Sequence, residues 1–147
     1  MKIPVKIKIT IAAMAMILAF RSTLHSQAAA SVWDGVYTNE QAKRGEPVYA
    51  KECGSCHGDA LDGVGQAPAL AGDDFKANWN GQTVGDLFEK IQATMPAGNP
   101  GKLSRPQNAA IVAYILKSNG FPSGAKELPG DDEPLAKIRI EPAKAKR

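Results

Sequence analysis

Two thiols three residues apart with an imidazole directly behind them, Cys53-Gly54-Ser55-Cys56-His57, constrain this chain more than any other stretch. On a helical turn, residues three and four apart share a face, so Cys53, Cys56 and His57 can address one planar object. The pattern is the attachment signature of a c-type haem, with the thiols bonding its vinyl groups and His57 ligating the iron. Both cysteines of the chain are used in it, which leaves none for a disulfide. Half a zinc site and a redox dithiol are the alternatives for a Cys-x-x-Cys. Structural zinc normally takes four Cys or His ligands, and only His25 remains outside the motif. A thioredoxin-like dithiol sits in a βαβ context, and the flanks here show no buried strand run.

Residues 1–30 read as a secretory signal peptide. Lys2, Lys6 and Lys8 form a basic start, Ile9 to Phe20 is an apolar run broken only by Thr10, and Ala28-Ala29-Ala30 fits a small-residue cleavage site. The run is shorter than the roughly 18 apolar residues of a spanning helix, so stable membrane insertion is not expected. The implied compartment is a bacterial periplasm or an equivalent exported space, where covalent attachment keeps a cofactor from being lost.

Cleavage changes the composition that matters. Met1, Met14, Met16 and His25 leave, so the mature chain keeps His57 and Met95 as its single imidazole and single thioether. Met95 ends an amphipathic stretch, and Pro96 disfavours helical geometry at the residue before it. His/Met is a known axial pair for c-type iron; lysine, an amine terminus, an open site, or a gap-filling core role for Met95 are the other readings. Four of the 18 basic residues and none of the 15 acidic ones lie in the leader, so the remainder carries one more acid than base. Nothing in this balance points to nucleic acid, and no strongly basic docking face is evident.

The spacing predicts three helices: from about Asn39 to Cys53, with Thr38 as cap and Gln41 placed for a capping box; from about Val84 to Thr94, capped by Thr83, with a Leu87, Phe88, Ile91 stripe; and from about Arg105 to Ser118, capped by Ser104, with Pro106 tolerated in the first turn. Ile111, Tyr114 and Ile115 share a face suited to packing on the first helix, and Gly45 offers a place for the two to cross closely. About 25 residues rich in Gly, Asp and Pro separate the motif from the second helix, a length that suits wrapping a large apolar disc. The span 38–122 is near the size where a single core is marginal, so a covalent cofactor is a useful staple.

Over about Thr38 to Gly120 the chain resembles the class I, single-haem cytochrome c family, through Gly45 and Tyr49, Cys53, Cys56 and His57, Pro68-Ala69-Leu70, Met95-Pro96 and Tyr114. The resemblance implies a small all-α fold wrapped around one covalent haem. It implies that the Pro68 carbonyl meets the second ring nitrogen of His57, and that Trp79 lies near a haem propionate. A core tryptophan with its indole N–H on backbone is the other reading of Trp79. The segment 31–37, with Trp33 and Tyr37, looks like the N-terminal arm of soluble cytochromes that accompany periplasmic dehydrogenases, or a flap over the haem domain.

Residues 123–147 read as a polar tail. Pro129 to Pro134 is turn-rich and acidic, and Lys137 to Arg147 is basic; such segments are usually solvated, with wrapping of the domain or binding of an acidic partner or membrane surface as alternatives. The expected function is single-electron transfer rather than catalysis, between partners such as a periplasmic dehydrogenase and a terminal oxidase. The competing readings are a haem subunit of a dehydrogenase, and a haem enzyme or gas sensor with an open sixth site.

Overall fold

The computed structural model describes residues 30–144. The expected leader therefore lies outside the described residues apart from Ala30, as do the last three residues of the tail. Strand β1 (Ala30–Ser31) leads into a 3-10 turn at Val32–Asp34 and then α1 (Asn39–Glu52), α2 (Gly54–His57), α3 (Gly72–Trp79), α4 (Val84–Thr94), α5 (Arg105–Ser118), α6 (Asp132–Leu135) and β2 (Ile138–Arg139). The two short strands pair in parallel, Ala30 with Ile138 and Ser31 with Arg139. The architecture is all-α, with α1, α4 and α5 as the main helices.

The helix ends follow the side chains that can satisfy orphaned N–H groups. Thr83 and Asp86 form a reciprocal capping box at α4, and Ser104 and Gln107 another at α5. At α1 the Thr38 hydroxyl accepts from the Gln41 N–H at 3.1 Å. The Gln41 side chain does not complete the expected box. It is buried, and its amide pairs instead with both peptide groups of Leu128, at 2.9 and 2.8 Å.

Helices α1 and α5 cross at Gly45, where a Cβ would lie 1.9 Å from the Ala110 carbonyl oxygen. Only a residue without a side chain permits this approach. One turn further, Tyr49 packs on Tyr114 with ring centroids 5.3 Å apart. Ile111 and Ile115 also belong to the core, but they turn toward the cavity described below.

Two segments differ from what composition predicts. Within the long loop, α3 forms because Asp73 and Asp74 suit the positive end of the dipole and Phe75 and Trp79, one turn apart, share a face; Phe75 is fully buried. Two apolar positions are too few to register as a period. The polar tail is packed rather than solvated as far as Ile140: Leu128, Leu135, Ile138 and Ile140 are buried, each stabilising by roughly 2 kcal/mol relative to exposure. The N-terminal arm packs beside it. Trp33 meets Phe121 edge-on at 5.0 Å and donates to the Glu141 carbonyl at 3.0 Å, and the Tyr37 hydroxyl donates to the Phe121 carbonyl at 2.6 Å.

Candidate functional site

The end of α1 turns directly into α2, so the chain delivers Cys53, Cys56 and His57 in a single bend. Cys53 caps α1, its N–H donating to the Tyr49 carbonyl. The buried Tyr49 hydroxyl donates to the Gly58 carbonyl at 2.8 Å, tying the bend back to α1. Burial holds this phenol above its ordinary titration range.

His57 is buried, and its Nδ1 lies 2.8 Å from the Pro68 carbonyl oxygen. A carbonyl only accepts, so the proton sits on Nδ1 and the Nε2 lone pair is left for another partner. The loop carrying Pro68 is itself pinned. The buried Asn119 side chain donates to the carbonyls of Leu70 and Ile115, at 2.9 Å each, and accepts from the Gly72 N–H at 3.1 Å. Asn119 also caps the end of α5, and no local signal in the sequence points to its hold on the Pro68 loop.

Met95 leaves α4 in extended conformation and is half-buried. Its side chain joins Cys53, Cys56, His57, Pro68 and Trp79 in lining one largely apolar cavity of about 750 Å³. All six residues picked out from the sequence thus meet in one place. Leu87 and Ile91 of α4 and Ile111 and Ile115 of α5 form much of the remaining wall. Trp79 is half-buried and tilted against Phe75 at 6.2 Å. Gln82, on the same turn, also reaches the cavity.

The charges at the rim are few. Glu52 lines the cavity and is bound by Lys102 at 2.7 Å, and this contact holds its carboxyl below the usual range. Burial first, then the neighbouring Glu52 and Cys56, pushes the Cys53 thiol up to about 11. A thiol in such a place stays protonated at neutral pH until it is covalently used. Among the described residues, no group of three or more His, Cys, Asp or Glu side chains is arranged to hold a metal ion by itself.

A model of the family described as "Cytochrome C oxidase, cbb3-type, subunit III" matches residues 40–115, just over half of the chain. The chain belongs to this family of c-type cytochrome domains. The sulfane dehydrogenase SoxCD from Paracoccus pantotrophus has a solved structure similar to this cytochrome, with a TM-score of 0.51 and 23% identity over 81% of the chain. This cytochrome spans 66% of that chain's length. At that identity the likeness is one of fold. Among curated proteins no match was found.

Membership implies a covalent haem c and haem-based electron transfer. The residues fit such a group. Two free thiols, an imidazole with an available Nε2 and a thioether face one apolar cavity, and no side chain on its wall other than Glu52 and Lys90 is ordinarily charged.

Proposed function

We propose that this cytochrome is an exported, periplasmic carrier of single electrons between a dehydrogenase and a terminal acceptor such as an oxidase. In this reading His57 and Met95 would hold the iron, Cys53 and Cys56 would be the covalent anchors, and one haem would be bound. The observation that carries it is the opening of the single imidazole and the single thioether of residues 30–144 onto the same apolar cavity as both thiols. When bound, the haem supplies reversible exchange between ferric and ferrous iron. The chain does the rest. The Pro68 carbonyl fixes the His57 tautomer and orientation, the Met95 thioether favours the ferrous state, and the aliphatic wall limits water. With the iron held by both side chains, no open metal site would remain for a substrate, so the chain would act as a carrier and not as an enzyme.

An optical redox titration of the purified, exported protein tests this. The expected result is a low-spin ferric spectrum with a sulfur-to-iron charge-transfer band and one reversible single-electron transition. A missing band together with rapid carbon monoxide binding to the ferrous protein would instead mean an open sixth site.

A second reading makes the chain a fixed haem subunit of an exported dehydrogenase. The fold shared with SoxCD, itself a sulfane dehydrogenase, favours it. Co-purification with a larger flavin, quinone or molybdenum protein would decide for it.

A further inference from the structure

Near the end of the described residues, Arg139 and Ile140 are bonded to the turn at 79–83, from which Trp79 and Gln82 line the cavity. The Gly81 N–H donates to the Ile140 carbonyl at 3.0 Å, and the Ile140 N–H donates to the Gln82 carbonyl at 2.9 Å. The Arg139 guanidinium donates to the Gly81 carbonyl at 2.9 Å, and Thr83 forms an antiparallel bridge with Arg139. Three hydrogen bonds thus tie the 81–83 turn to the tail. Just before this, the chain at Ala136 rests on the first turn of α4, where a Cβ on Gly85 would lie 2.8 Å from the Ala136 nitrogen.

The turn held in this way is part of the site. Trp79 and Gln82 line the cavity, and the Gln82 side chain donates to the Asn78 carbonyl at 2.7 Å, closing the turn on itself. Thr83 caps α4, and α4 ends at Met95. One short stretch of tail thus governs both the wall at Trp79 and the helix that presents the thioether.

We infer that residues 136–140 are a positioning strap for the haem-lining turn, with Arg139 and Ile140 as its positioning residues. The inference rests on reading the cavity as a haem site. Loosening the strap frees the 79–82 turn and admits water to the cavity. Water stabilises the more highly charged ferric state, so the reduction potential falls.

The test compares the holo protein with its Arg139→Ala, Gly85→Ala and Arg44→Ala variants by optical redox titration and thermal melting. Arg44 makes an exposed ion pair with Glu127 at the near end of the tail. Arg139→Ala and Gly85→Ala should titrate below the wild type and keep the sulfur-to-iron band, while Arg44→Ala keeps the wild-type potential. Lower melting temperatures at an unchanged potential in Arg139→Ala and Gly85→Ala would overturn the strap and leave the carrier reading standing. If Gly85→Ala does not fold, the exposed Arg139 decides the matter alone. A wild type with no reversible transition would remove the carrier reading itself, and the strap with it.

Discussion

His57 Nδ1 and the Pro68 carbonyl oxygen are 2.8 Å apart, and this contact depends on a loop anchored from the far side by Asn119. Asn119→Ala leaves the Leu70 carbonyl and the Gly72 N–H without their partner in a partly buried place. Such losses cost about 1–3 kcal/mol for each group. The variant should therefore lose at least about 2 kcal/mol in chemical denaturation of the holo protein. A loss below about 0.5 kcal/mol would mean that other contacts hold the Pro68 loop.

Met95→Ala takes the thioether from the cavity and leaves His57 untouched. The expected outcome is a high-spin ferric spectrum, loss of the sulfur-to-iron band and a lower potential. An unchanged spectrum would remove Met95 from the iron.

Glu52 faces the cavity, and Lys102 compensates it. A positive charge near the iron favours the ferrous form and a negative one the ferric form. Glu52→Gln should thus raise the potential, Lys102→Ala should lower it, and both shifts should shrink as salt is added. Shifts of the same sign in the two variants would contradict this pairing.

The Gly45 crossing is tight enough for one methyl to test it. Gly45→Ala brings a carbon onto the Ala110 carbonyl oxygen, and α1 and α5 must separate. The cost should be about 3 kcal/mol, the upper part of the range for overpacking. Thermal unfolding reads it directly, and a neutral substitution would show that the helices slide freely at this point.

The site was more legible in the sequence than its supports were. Cys53, Cys56, His57 and Met95 announce themselves through residue chemistry at fixed spacing, and caps such as Thr83 and Ser104 through local hydrogen bonding that a short window contains. The tail did not. Ile138 and Ile140 sit among Lys137, Arg139 and Glu141, so charge hid an alternation of buried and exposed side chains only a few residues long. Gln41 shows the same limit. Its position suited a local capping box, but a buried backbone segment 87 residues away offered its amide two partners. Local rules predict local partners, and these contacts are set by tertiary packing.

Asp86 gives a pH test of the α4 cap. Its carboxylate accepts from the Thr83 N–H at 2.8 Å and the Thr83 hydroxyl at 2.7 Å, and these bonds hold its pKa below the ordinary 3.8. A carboxyl depressed on folding adds stability above its unfolded pKa, and that stability is lost as pH falls through the folded value. Asp86→Asn should therefore melt below the wild type at neutral pH. The gap should close as pH falls below about 3.8 and through the lower folded value, where the wild-type carboxyl also becomes neutral. Thr83→Ala removes the cap hydroxyl at any pH and should cost about 1 kcal/mol. A gap between Asp86→Asn and wild type that stays constant from about pH 7 to pH 2.5 would show that the charge at this cap contributes nothing to holding α4.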